Sequence, residues 1–479
     1  MSLRTKVLRG LKWTVFGRLA SQIVTWAVTI YVIRLLNPED YGLMSLATIF
    51  SALFAMVAEI GLGPALVQSK EVPPERLRQI FGIVILTNGA ACLLMAAVIA
   101  PLVAAFFGEI RLELVVQVIA LQFLPAAFAV VPAALLDREM KFRGRAIADL
   151  SATIGGAIVT LILAYMGYGV FALAWGSVSL ATIRAAGLNL ARPFLNAPSF
   201  RFAGCGSMFK FGRNVAATQL TWFIYSQADS FIVGKFLGKH DLGIYSVSMD
   251  LASLPAARAS AILHQLAFPS LAMIQRDSGA IGPYLMKSIR GVNLLSFPVM
   301  WGISSVAPEL VQTLLGEKWL EAVIPLALLC LIMPLRVISP LLHAGLYAVG
   351  RADTSFRITF ITACVMCAAF LFSAQFGLIG LSLAWLLVFP GIFVFNLLRA
   401  TKHLKVTVKE IATALARPAL VSGLMYGAVA LVRQELQWTP LVNLVTLILV
   451  GAIVYALLSF LFNRETMMET LNLIRRRVT

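Results

Sequence analysis

Charged residues are scarce in this chain, at 13% of 479 positions against 60% hydrophobic ones. That shortage excludes an ordinary soluble domain, in which about 25% of residues are charged. Acidic residues are the scarcer sign, 22 against 39 Lys and Arg, giving a formal net charge of +17. Cysteine and histidine are few as well, five and four. A disulfide scaffold is thereby excluded, and a clustered Cys/His metal site has little to be built from. Cys364 and Cys367 form a CxxC, but within an apolar run where small residues pack helix to helix. A phosphate-binding glycine loop, a nucleotide motif and a carboxylate pair in one loop are also missing. These absences argue against an ATP-driven pump, a hydrolase or a transferase.

What is present is hydrocarbon in long runs. A spanning helix needs about 20 apolar residues, and about fourteen such runs can be counted. They cover 10–36, 41–69, 79–107, 112–136, 147–166, 169–191, 207–237 and 242–273 in the first part of the chain. The remainder cover 286–310, 321–349, 357–376, 378–400, 411–433 and 441–462. The sequence therefore predicts an all-α integral membrane body with short loops. The first run is too long for the core of a signal peptide and reads as an uncleaved first helix.

The positive charge is distributed by topology. Arg4, Lys6, Arg9 and Lys12, then Lys70, Arg76 and Arg78, fall on one side of the alternating spans. So do Arg138, Lys141, Arg143 and Arg145, the group Arg399, Lys402, Lys405 and Lys409, and Arg475, Arg476 and Arg477. The opposite loops hold little beyond Arg111, Lys239, Lys318 and Arg433. This bias sets both termini in the cytoplasm. It also turns the basic composition into a membrane signal, not a nucleic-acid one. Trp13, Trp301, Trp319 and Trp438 fall near the span ends, as an interfacial belt would.

The chain also repeats itself. RLLNPEDYGLMSLA from Arg34 matches KFLGKHDLGIYSVS from Lys235, with Leu36, Asp40, Gly42 and Ser45 opposite Leu237, Asp241, Gly243 and Ser246 at one offset. Upstream, FGRLASQIVTW from Phe16 matches FGRNVAATQLTW from Phe211. Pro125 and Pro132 interrupt the fourth run much as Pro334 and Pro340 interrupt the tenth, and kinks are expected there. GVFALAW from Gly169 corresponds to GLIGLSLAW from Gly377. Runs one to six thus parallel runs seven to twelve, and six spans preserve orientation, so the repeat is a parallel one. The expected units are 1–200 for an N-lobe, 201–405 for a C-lobe and 406–479 for two extra helices with a tail. The Pro/Gly-broken loop 192–206 joins the lobes.

This pattern resembles the Wzx-type polysaccharide repeat-unit flippases of the multidrug, oligosaccharidyl-lipid and polysaccharide exporter superfamily. The residues that carry the resemblance are FGR at Phe16, NPEDYG at Asn37 and EIGLGPALVQ from Glu59 to Gln68, with the paired LAW turns. The resemblance implies alternating-access transfer of an undecaprenyl-diphosphate-linked oligosaccharide across a bacterial inner membrane, for exopolysaccharide or lipopolysaccharide assembly. It implies no enzyme activity and no cofactor beyond a coupling H+ or Na+. Its partners would be membrane lipids and the polysaccharide polymerase and chain-length machinery.

Charge within a span is costly, about 2.5–3.5 kcal/mol per residue on insertion scales, so each instance needs a reason. Arg18 and Arg213 occupy equivalent places in the two FGR copies and lie near the cytoplasmic surface, where snorkelling is an alternative to ligand binding. Arg258 and Arg336 fall mid-span and lack charged counterparts, since the repeat sets them against the neighbourhoods of Leu53 and Ala127. A charge in one copy only points to a ligand or to an internal ion pair, with Asp250 or Asp229 as the partner for Arg258. Given the resemblance, Arg258 and Arg336, helped by Arg18 and Arg213, are expected to hold the diphosphate. Glu59, Asp229 and Asp250 are candidates for ion coupling or ion pairing. Trp26, Trp222 and Tyr225, with Tyr31, are candidates for sugar contact or wall packing, and Asp40 and Asp241 read as helix caps. Open alternatives are a cation-coupled multidrug exporter, a flippase for lipid II or a teichoic-acid precursor, and a non-transporting scaffold of glycan assembly.

Overall fold

A computed structural model of the chain describes residues 25–59, 73–194, 196–200, 223–255, 281–404 and 406–463. The fold is all-α. In order, α1 spans Thr25–Leu35, α2 Pro38–Glu59, α3 Pro74–Phe107 and α4 Ile110–Arg138. They are followed by α5 Phe142–Tyr165, α6 Val170–Ala191, α7 at 223–236 and α8 at 239–255. Then come α9 Ile281–Ser305, α10 Glu317–Ala348, α11 Ala352–Ser373 and α12 Gly377–Leu404. The last pair is α13 Val408–Glu435 and α14 Pro440–Phe462. These fourteen described helices fall on the fourteen apolar runs one for one. Among the described residues, eight helical segments are long and apolar enough to cross a membrane. The bent pair 282–305 and 307–315, broken by 72°, makes a ninth. The chain is a multi-pass membrane protein.

Contacts divide the chain into two compact units, Met1–Gly243 and Ile244–Thr479. Residues 223–243, which the repeat assigns to the second copy, thus pack within the first unit.

In the first unit α5 and α6 form the closest helix pair, and small residues explain why. A β-carbon on Gly176 would collide with the Thr160 hydroxyl, and one on Gly156 would sit 2.8 Å from Leu180 Cβ. With little hydrophobic drive between helices in lipid, such close backbone approach is what holds them together. Asp40 ties α2 to this pair. Its carboxylate accepts from Val170 N at 3.1 Å and from Asn37 N at 3.2 Å, so one anion caps two helix starts. Toward the ends away from the α5–α6 loop, Arg184 pairs with Asp149 at 2.8 Å, Arg145 with Asp137, and Arg192 with Glu139 at 2.8 Å. The described part of the 192–206 loop is pinned to α3. Ser199 N donates to Arg78 O at 2.9 Å, and Phe194 meets Phe81 edge-on at 5.5 Å.

Of the four repeat prolines, only Pro125 sits beside a break in its helix, while Pro132, Pro334 and Pro340 lie within continuous helix. α4 breaks into turns at Leu121–Gln122, just ahead of Pro125, whose missing N–H leaves the Leu121 carbonyl to accept from Leu124 N at 3.2 Å instead. α10 runs as continuous helix through both Pro334 and Pro340, contrary to the expectation of a broken span there. One aromatic expectation is likewise corrected. Trp319 is fully buried in the short 3-10 turn that opens α10, so it packs the core and does not anchor an interface, whereas Trp438 is exposed.

Candidate functional site

The second unit gathers one unusual constellation around Arg336, which α10 carries near its middle. Its guanidinium carbon lies 4.0 Å from the ring centroid of Trp385 on α12, a stacked cation–π contact. Nη1 donates to the Met249 sulfur on α8 at 3.2 Å, a weak acceptor. Among the described residues no carboxylate pairs with Arg336, although the side chain is half-buried.

Three neighbours hold the Trp385 indole in place. Its Nε1 donates to the hydroxyl of the fully buried Tyr245 at 2.9 Å. Phe370 on α11 and Phe389 on α12 pack at ring distances of 5.1 and 5.5 Å. The result is a rigid aromatic platform under a cation. Guanidinium has five donors, and only one is engaged by a described partner. Such a group is chemically equipped to bind an oxyanion by forked hydrogen bonds.

Elsewhere in this unit two polar pairs satisfy each other. Asn396 Nδ2 donates to Thr362 Oγ1 at 3.1 Å, and His343 Nδ1 lies 2.8 Å from Ser355 Oγ. Asp250, one residue after Met249, is exposed and pairs with no described cation. In the first unit Asp229 is buried. Its carboxylate accepts from Ser230 N at 2.8 Å. Trp26 is exposed and Tyr225 half-buried.

Arg18, Arg213, Arg258 and Trp222 lie outside the described residues, as does the side chain of Glu59. The structure therefore joins Arg336 to Trp385, Tyr245 and Met249, which sequence reasoning did not single out. One signal for Trp385 was available. It closes the second LAW turn, opposite Trp175 of the first.

Comparison with known proteins bears on the whole chain. The chain is 24% identical over 485 residues to the succinoglycan biosynthesis transport protein ExoT of Rhizobium meliloti, covering 98% of this chain and 96% of that one. To the lipopolysaccharide biosynthesis protein WzxC of Escherichia coli K12 it is 23% identical over 401 residues, covering 81% and 79%. Its fold is similar to that of the lipid II flippase MurJ in an inward closed conformation, with a TM-score of 0.74 at 15% identity, over 95% of this chain and 100% of that one. A family profile described as "Polysaccharide biosynthesis protein" matches residues 31–324, more than half of the sequence, and the chain belongs to that family.

Proposed function

We propose that this protein flips a polyprenyl-diphosphate-linked oligosaccharide from the cytoplasmic to the outer leaflet of the bacterial inner membrane, by alternating access, for surface polysaccharide assembly. The observation that carries this reading is Arg336. A half-buried guanidinium on a spanning helix, stacked on tryptophan and without a described carboxylate, is costly unless an anion visits it. A diphosphate supplies that anion, and it cannot cross about 30 Å of hydrocarbon without groups that replace its water. The relatives' roles in lipopolysaccharide and succinoglycan biosynthesis support a glycan as the cargo.

Within this reading Arg258, Arg18 and Arg213 extend the cationic path. Glu59, Asp229 and Asp250 are the places for a coupling H+ or Na+. Trp26, Trp222 and Tyr225 are the sugar contacts. The functional divisions are the lobes 1–200 and 201–405 with the appended 406–479, and both termini face the cytoplasm. The protein is a transporter and not an enzyme, working beside the polymerase and chain-length machinery. A multidrug exporter fits less well, because a cationic drug would meet like charge at Arg336.

The test is reconstitution in liposomes with an undecaprenyl-diphosphate oligosaccharide, following the accessibility of its glycan to an impermeant probe. Wild-type protein should expose the glycan, and Arg336→Ala should fall to the protein-free rate while remaining folded. Retained flipping in Arg336→Ala would remove the site. Wild-type protein inert with every ion gradient would remove the function.

A further inference from the structure

The two copies of the repeated turn pack against each other, and they do so reciprocally. In the α1–α2 turn and the α7–α8 turn, Gly42 and Gly243 hold equivalent positions, as do Pro38 and Lys239. A β-carbon on Gly42 would run into the Lys239 carbonyl, and one on Gly243 would run into the Pro38 carbonyl. The same β-carbon on Gly243 would lie 3.1 Å from Gly42 N. Each copy thus presents its glycine to the other copy's first turn. Glu39 and His240, 201 residues apart and so also equivalent, meet at 2.9 Å between Oε1 and Nδ1. Equivalent residues pair with one another only beside a two-fold axis, so a local pseudo-two-fold passes between the turns.

Around that axis the contact is made of groups that part easily. Lys239 pairs with Glu109 at 2.7 Å, with both side chains about a third exposed or a little less. Lys235 reaches the Phe106 carbonyl and lies 4.1 Å from the centre of that ring. Phe231 packs on Phe106 and Phe107 at 5.7 and 5.4 Å. Exposed ion pairs are weak because water competes for both partners. Two helix N-termini brought together also repel through their dipoles, which acids in their first turns, Glu39 and Asp40 on α2, offset. Close backbone fit sets the register. The glycines let two backbones touch where any side chain would wedge them apart.

We propose that these two turns form a latch that closes the translocation path on the side opposite the basic loops, and that Gly42 and Gly243 are its gating residues. The proposal rests on the flippase reading for its role in transport. Closure brings the two turns into register, and passage of a glycan to the outer leaflet requires them to separate in every cycle.

The test uses full-length protein in liposomes. A Glu39→Cys/His240→Cys pair, made in a background lacking Cys92, Cys205, Cys330, Cys364 and Cys367, is bridged with a short bifunctional thiol reagent. Bridging should bring flipping to background, and reduction should restore it. Flipping that continues through the bridge overturns the latch and leaves the flippase reading intact. Should the unbridged protein flip nothing, the flippase reading falls and conformation alone decides the latch. Spin labels at Ile110→Cys and Phe236→Cys, both exposed and beside the contact, then report the distance. Gly42→Ala or Gly243→Ala should move the population to longer separations, and an unchanged distribution overturns the latch.

Discussion

The repeat allows one fold to be compared with itself. Tyr245, Met249, Arg336 and Trp385 make the platform in the second copy. Their counterparts in the first are Met44, Thr48, Ala127 and Trp175. Ala127 is buried among Ile80, Phe81, Val131 and Phe194, and Trp175 faces outward with 41% of its surface exposed. The same helices therefore assemble in the first copy around an alanine and turn the LAW tryptophan away. A scaffold that closes without a cation in one copy does not need one in the other. The energetic cost of Arg336 is therefore not a demand of the architecture, which is why the proposed function assigns it to a ligand.

The sharpest way to break this comparison is to give the first copy the second copy's charge. Ala127→Arg would place a guanidinium in a packed apolar cluster that lacks the hydrogen-bonded tryptophan found under Arg336. Insertion of arginine costs about 2.5–3.5 kcal/mol, and overpacking adds about 1–3 kcal/mol. We expect loss of monodisperse protein on size exclusion, or a strongly lowered melting temperature in detergent. A well-folded Ala127→Arg protein would show that the first copy, too, holds a polar environment at this depth, and the asymmetry argument would fail.

Much of this was legible in the sequence because of how membranes constrain a chain. Backbone polar groups cannot remain open in hydrocarbon, so apolar runs become helices, and the described helices fall on the runs. The paired glycines of the turns were visible as a motif at Gly42 and Gly243. That they touch each other was not, because a repeat gives equivalence and says nothing of contact. Arg336 stood out because charge is rare in a span. Trp385, Tyr245 and Met249 did not, because aromatic and sulfur side chains are ordinary in hydrocarbon and only their meeting is informative. Pro334 misled for a related reason. Proline removes one donor, but the surrounding helices decide whether the helix breaks, as α4 does and α10 does not.

A gentler change sharpens the comparison at the platform itself. Tyr245→Phe gives the second copy a residue as apolar as Met44 and strips the acceptor from Trp385 Nε1. Leaving a buried donor unsatisfied costs about 1–3 kcal/mol. Melting temperature should fall, and flipping should slow by less than in Arg336→Ala because the guanidinium remains. If flipping is untouched while stability falls, Tyr245 supports packing only and the platform needs no fixed indole.

The smallest expected effect separates the α4–α5 turn of the first copy from the α10–α11 turn, which holds the same place in the second. In the first, Met140 holds a left-handed φ of 53°, and Glu139 beside it takes Lys141 at 2.6 Å and Arg192 at 2.8 Å. In the second, the equivalent turn places Gly350 at φ 74°, with Arg351 facing His403 Nδ1 at 3.4 Å and no carboxylate in that contact. The hydrogen bond from Lys141, then that from Arg192, hold the Glu139 carboxyl below its ordinary range against the opposing effect of burial. A carboxyl whose folded value is depressed stabilises the protein above its unfolded value of about 4.3. That contribution is lost as pH falls through the lower folded value. Glu139→Gln should therefore lower stability at neutral pH by less than about 1 kcal/mol, as befits partly exposed pairs. The difference from wild type should close as the medium is acidified below the ordinary carboxylate range, and it should shrink in high salt. A gap that persists in acid would mean that Glu139 acts through packing around the strained Met140 turn and not through its charge.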